Sequence, residues 1–178
     1  MEINLKTKII PLNTFILTSK IKDIDLINNL INTIKEKSKN NELNFKTHVK
    51  GLFSGFDSFV KDINFHKFIK SIQEEIKVIF NENFVIRSAW GNIFLKEHSV
   101  TPHNHLTSDA FCGILYLTEG GPGTYFNDYD ITITEEIGKF VLFSPILLHE
   151  VKKNDTDNER ITLAFNADRP RNWENYEV

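Results

Sequence analysis

The spacing of apolar positions along this chain changes once, near residue 84. Before that point two stretches repeat at the helical period. "DIDLINNLINTIKEKSKN" sets Ile24, Ile27, Leu30, Ile31 and Ile34 on one face, behind Asp23, whose carboxylate can accept from the free N–H groups of a helix start. A second helix is predicted over about 62–81, where Phe65, Phe68, Ile69, Ile72, Ile76, Ile79 and Phe80 form the stripe. Ahead of both, "KIIPLNTFILTSK" is short, β-branched and interrupted by Pro11, which suits an edge strand. Between them, "HVKGLFSGFDS" reads as a turn-rich connection.

From Phe84 onward, short β-rich runs alternate with turn residues: "FVIRSAWGNIFLK", "AFCGILYLT", "GTYFND", "DITIT", "GKFVLFS", "LLHEV" and "RITLAFNAD". That rhythm predicts an antiparallel sandwich or barrel. Helices first and strands afterwards argue for an α+β fold with the helices against one outer face of the β unit. We read one domain over residues 1–178, with helical support over 1–83 and the β core over 84–168.

Composition narrows the function without naming it. Hydrophobic residues at 40% and charged residues at 25% are ordinary for a globular domain, and Phe is abundant at 15 copies. A net charge of −3 provides no field for gathering duplex nucleic acid. No window reaches the ~18 apolar residues of a membrane span, and the first residues lack the apolar core of a secretion signal. The single Cys112, in an apolar stretch, forms no internal disulfide and suits a reducing cytoplasm.

The chemistry-bearing residues gather around one stretch, "TPHNHLTSDAFCGILYL". In extended backbone, residues i and i+2 share a face, so His103 and His105 can converge on one point, and Pro102 favours that extension. His149, 44 residues beyond His105, stands at the mouth of another apolar strand. Arg160 opens "RITLAFN", and a guanidinium at the start of a buried strand needs an anionic partner. Taken singly, each is ordinary: His48 and His66 are read as satisfied surface or core residues, His98 as a further ligand candidate that fits a loop residue better, and a lone Arg usually belongs to a structural ion pair. The joint order carries the signal: His-x-His, strand, Gly turn, strand, His, then Arg on the next strand.

That order resembles a known family. "PHNH…GILYL…GGPGTYF…GKFVLFSPILLHEV…RITLAFN" is similar to the core of the iron(II)- and 2-oxoglutarate-dependent oxygenases. It is closest to their prolyl-hydroxylase-like group and to small bacterial and phage members with a His-x-His motif; "SAWGNIFLKEHSVTPHNH" matches the strand that precedes that motif. The likeness runs from about Ser88 to Ala167. It implies a double-stranded β-helix, a jelly-roll barrel open at one end with the metal inside the mouth. It implies His103 and His149 as iron ligands, and Arg160 as the group that holds the far carboxylate of 2-oxoglutarate, with Thr162 adding a hydroxyl contact. Asn92 and Tyr116 are further candidates for the cosubstrate, although Tyr116 fits a core aromatic equally well. The implied activity is hydroxylation of a C–H bond by O2, with 2-oxoglutarate converted to succinate and CO2. Neutral imidazoles suit iron(II), and a planar guanidinium matches a carboxylate bidentately.

The usual second ligand is an aspartate, and His105 stands in its place. His105 can itself ligate, giving an all-histidine site with a charge of +2 instead of +1. Asp109 can instead curl back as the carboxylate, or the pair can serve something other than iron. The i, i+2 geometry favours His105. Two further readings stay open: a cupin-like metal protein or isomerase that does not use 2-oxoglutarate, and a non-catalytic barrel with a degenerate site. The substrate, whether a small molecule or a protein side chain, and the oligomeric state are not legible.

Overall fold

The computed structural model describes residues 14–39, 41–44, 48–81, 83–107 and 110–170. Two helices and eleven strands are found among them. Helix α1 (Ile24–Lys37) starts where Asp23 accepts from the Leu26 N–H at 2.9 Å. Helix α2 (Ile63–Phe80) starts where Asp62 accepts from Asn64 and Phe65, and ends on Asn81 in the left-handed conformation.

The strands are β1 (Ile16–Lys20), β2 (Glu42–Asn44), β3 (Val49–Phe53), β4 (Val85–Phe94), β5 (Ser99–His103) and β6 (Phe111–Tyr116). After them come β7 (Thr124–Phe126), β8 (Ile131–Ile133), β9 (Lys139–Phe143), β10 (His149–Val151) and β11 (Arg160–Asp168). Their order in the sheet is β1-β9-β6-β11-β4-β3-β5-β10-β7-β8, with β2 on the side of β3. Every pairing is antiparallel. The sheet curls until β5 and β10 line the same cavity as β4 and β11, which is the jelly-roll half-barrel expected.

Alternation along the central strands separates two interiors. On β11, Ile161, Leu163 and Phe165 join the main core with Leu30 and Ile34 of α1 and Phe65 and Phe68 of α2. Arg160, Thr162, Ala164 and Asn166, on the opposite face, line the cavity. On β4 the same division sends Ala89 and Ile93 to the helices and Trp90, Asn92 and Phe94 to the cavity. The helices therefore seal one face of the sheet, leaving the other for chemistry. Cys112 is buried and burial pushes its thiol up, so it is a packing group with little thiolate character.

Three details depart from the sequence reading. The connection "HVKGLFSGFDS" contains β3, which bridges β4 to β5; Gly51 at its centre hides the strand alternation of Val49, Leu52 and Phe53. The buried stripe of α1 is rotated toward Leu26, leaving Ile24 57% exposed, and Ile79 of α2 is 58% exposed. The edge strand is present as β1, while Pro11 lies outside the described residues. Among those residues, no helix is long and apolar enough to cross a membrane.

The contact that docks α1 on the sheet is tight enough to test. A Cβ on Gly91 would lie 2.4 Å from Ile34 Cγ1 and 2.8 Å from Cγ2, and Ile34 is fully buried. Gly91→Ala is expected to destabilise the fold by about 1–3 kcal/mol. Ile34→Ala, which should cost about 2–5 kcal/mol alone, makes room for the added methyl. In urea unfolding the double variant should therefore be less destabilised than the two single effects added together.

Candidate metal and cosubstrate site

The site is assembled from strands that are distant in sequence. In the β5–β10 pair, His103 lies directly opposite His149, and opposed residues stand on the same face. His105 follows two residues after His103, just past the strand end, and its N–H donates to Pro145 O at 2.8 Å, which fixes the loop beside β10. Arg87 steadies the same loop by donating to Thr107 O and Oγ1, both at 2.9 Å.

One ligand-type atom from each of His103, His105 and His149 falls within 4.8 Å of the others. Ring centroids are 4.3 Å apart for His103–His149, 5.0 Å for His103–His105 and 5.2 Å for His105–His149. The two strand histidines share an anchor. Nδ1 of His103 lies 3.0 Å from Thr101 O, and Nδ1 of His149 lies 3.0 Å from Leu147 O. A carbonyl only accepts, so Nδ1 carries the proton in each ring and Nε2 keeps a free lone pair.

Burial holds the cluster neutral. It pushes His149 down to about 3 and His105 down to about 4, with His103 as an added like-charge influence on each. His103 is also lowered by burial, opposed by the Thr101 carbonyl. Three close imidazoles, deprotonated before any cation arrives, are a donor set for a divalent transition metal. Among the described residues the cluster contains no Asp or Glu. Asp109, the alternative ligand, lies outside them.

Of the cosubstrate candidates, Asn92, Arg160 and Thr162 line the same cavity as the histidines, and Tyr116 stands beside them without lining it. Thr162 on β11 is opposite Asn92 on β4 and Tyr116 on β6, so the three form one row across the sheet. Asn92 is buried, and its Oδ1 has no hydrogen-bond partner among the described residues. Thr162 is buried and lines the cavity with it. The Tyr116 hydroxyl donates to Thr124 Oγ1 at 2.7 Å, and its ring lies 5.7 Å from the Arg160 guanidinium. That leaves Tyr116 a wall for Arg160, with its own proton engaged elsewhere.

Arg160 is 2% exposed and packs its guanidinium over the Phe94 ring at 4.9 Å. Its Nε is in ion-pair contact with Glu135 Oε1, though not aligned as a hydrogen bond, and Nη2 has no hydrogen-bond partner among the described residues. Glu135 escaped the sequence reading; in "DITITEEIGK" it looks like a solvated turn residue. Burial pushes its carboxyl up, opposed by Arg160 and by the Gly121 N–H, which donates to Oε2 at 3.1 Å. The one signal in the sequence was the requirement that a buried Arg have an anion.

The other histidines separate as expected, with one exception. His66 is exposed on α2. His98 is buried, accepting from the Leu95 N–H at 3.1 Å and facing Glu42 at 3.6 Å, away from the cluster. His48 is closer than its sequence suggested: it stacks on His103 with ring centroids 5.4 Å apart.

No protein-family model matches the sequence, and the search of curated proteins gave no match. Solved structures with the same fold are plentiful. A Pseudomonas putida prolyl-4-hydroxylase superposes with a TM-score of 0.65 at 14% identity, covering 88% of this chain and 93% of that one. A viral collagen prolyl hydroxylase from Paramecium bursaria Chlorella virus-1, solved as its 2-oxoglutarate complex, gives 0.56 at 16% identity, covering 84% and 94%. HygX from Streptomyces hygroscopicus, solved with nickel and 2-oxoglutarate bound, gives 0.63 at 10% identity, covering 88% and 82%.

Two outcomes follow. In metal-binding calorimetry, His105→Ala should weaken divalent-metal affinity by at least about a hundredfold, more than loss of an outer-shell partner, while Asp109→Asn leaves it unchanged; the reverse pattern would make Asp109 the ligand. The second concerns acid. His105 and His149 bind protons more weakly folded than unfolded, so nothing is lost above the ordinary imidazole value near 6.5, and stability falls as pH drops below it. The urea midpoint of the metal-free protein should fall between pH 7 and pH 5.5, less steeply in His149→Gln; equal slopes would contradict this assignment.

Proposed function

We propose that this protein is a non-haem iron(II)- and 2-oxoglutarate-dependent dioxygenase that hydroxylates a C–H bond. The observation that carries the reading is the placement of His103, His105, His149 and Arg160 around one cavity. The likeness of the fold to structures solved with 2-oxoglutarate supports it. The balance is one 2-oxoglutarate, one O2 and one R–H giving succinate, CO2 and R–OH.

The residues fit such a reaction in distinct ways. His103 and His149 present Nε2 because their Nδ1 protons are held by Thr101 and Leu147. With His105 they would hold the metal as a three-imidazole donor set, which suits iron(II). Bound there, iron(II) supplies the redox chemistry that activates O2 and couples decarboxylation to hydroxylation. Arg160 offers its free Nη2 to the far carboxylate of the 2-oxo acid, and Thr162 and Asn92 offer a hydroxyl and an amide beside it. Phe94, Val100, Phe143 and Val151 line the cavity with hydrocarbon, which excludes water and strengthens each polar contact inside. The acidic balance of the chain favours a small molecule or a protein side chain as substrate over duplex nucleic acid.

The test is anaerobic addition of 2-oxoglutarate to the iron(II)-loaded protein, followed by visible absorption of the chelate and, after oxygen is admitted, by succinate formation. Arg160→Ala, combined with Glu135→Gln so that no carboxylate is stranded, should abolish succinate formation while metal affinity stays within about threefold of the parent. Absence of chelation in the unaltered protein would sink the assignment.

A further inference from the structure

We propose that Glu135 is the resident counter-ion of Arg160: it holds the guanidinium in the empty cavity and weakens the grip of that guanidinium on a dicarboxylic 2-oxo acid. This rests on the cosubstrate reading above. Both side chains are almost wholly excluded from solvent, at 2% and 1%, and are in direct contact through Nε and Oε1. The other carboxylate oxygen is fixed by the Gly121 N–H, and a Cβ on Gly121 would lie 2.4 Å from it, so a glycine there is what lets the carboxylate approach the loop backbone. Phe94 and Tyr116 flank the guanidinium, whose Nη2 has neither a hydrogen bond nor an ion pair among the described residues.

Charge explains why such a residue belongs here. Three neutral imidazoles add nothing to a bound divalent cation, so its two charges stay uncompensated. Glu135 cancels Arg160, and a dianionic 2-oxo acid then brings the whole cavity to neutrality. Without Glu135 the cavity would carry one surplus positive charge with that ligand bound. Its pull on the carboxylate that faces Arg160 would rise, while an acid without that carboxylate would not feel the change at short range. Glu135 is thus a positioning and specificity residue that acts through Arg160.

The experiment uses nickel(II)-loaded protein, which is redox-inert here, and calorimetric titration with 2-oxoglutarate and with 2-oxobutyrate, which lacks the far carboxylate. Glu135→Gln keeps an acceptor for Nε but removes the charge. It should tighten 2-oxoglutarate by on the order of tenfold and leave 2-oxobutyrate unchanged. Unchanged or weaker 2-oxoglutarate binding overturns the proposal, as does an equal shift for both acids, which would signal a general structural change. If Glu135→Gln is too unstable to purify, Glu135→Asp takes its place, since it keeps the charge but draws it back by one methylene. A smaller gain for 2-oxoglutarate alone is expected, and no gain overturns the proposal. Failure of the unaltered protein to bind 2-oxoglutarate would refute the cosubstrate reading and this inference with it. Binding by the unaltered protein with no response in the variants refutes this inference alone.

Discussion

In an antiparallel pair, residues directly opposite one another stand on the same face, and a slip of one residue turns a side chain to the other side. His103 opposite His149 is that constraint in this protein. The register between β5 and β10 is irregular immediately after this pair, before Val151 meets Val100, so it is not imposed by a long regular ladder. It is held instead from both sides: His149 is also opposite Phe126 on β7, and β5 is tied to β3 through Val49 and Val100. Each imidazole then anchors its own Nδ1 two residues back. Once these two rings are set, His105 needs only the short loop held by Pro145 and Arg87 to complete the cluster.

The same logic extends to the cosubstrate end. β4 and β11 are buried on both faces over most of their length, which usually favours uniformly apolar strands. Their buried polar residues fall on one parity: Asn92 on β4, and Arg160, Thr162 and Asn166 on β11, all toward the cavity. The apolar partners on the other parity meet α1 and α2, whose packing supplies the stability that lets the inner face hold groups an ordinary core would reject.

Much of this was legible in the chain. The strand runs after Phe84, the cap of the first helix at Asp23 and the two-residue spacing of His103 and His105 follow from local rules, and local rules govern those features. What was hidden depends on distant neighbours. β3 is stitched in by β4 and β5, and Gly51 at its centre blurs the alternation that would have marked it. Ile24 and Ile79 fit the helical stripes by spacing, yet both are exposed in the fold. Glu135 sits in a short acidic turn whose composition suggests solvent; only the fold shows that the turn closes over Arg160. His48, bland in sequence, reaches His103 because β3 and β5 are neighbours.

The Arg160–Glu135 pair joins folding to binding through a single guanidinium. A cosubstrate that arrives and leaves in every turnover cannot be the only counter-ion of an arginine this deeply buried, because the empty protein would then hold an unpaired charge, which is strongly destabilising. A permanent carboxylate removes that penalty but competes with the ligand's own carboxylate. The observed arrangement divides the guanidinium between the two demands: Nε faces the resident Glu135, and Nη2 is left without a partner among the described residues. Under the proposed function, an all-histidine metal set would make the division workable. The anionic charge missing from the metal end is present at the arginine end, and a doubly charged ligand spanning the cavity meets a net charge equal and opposite to its own.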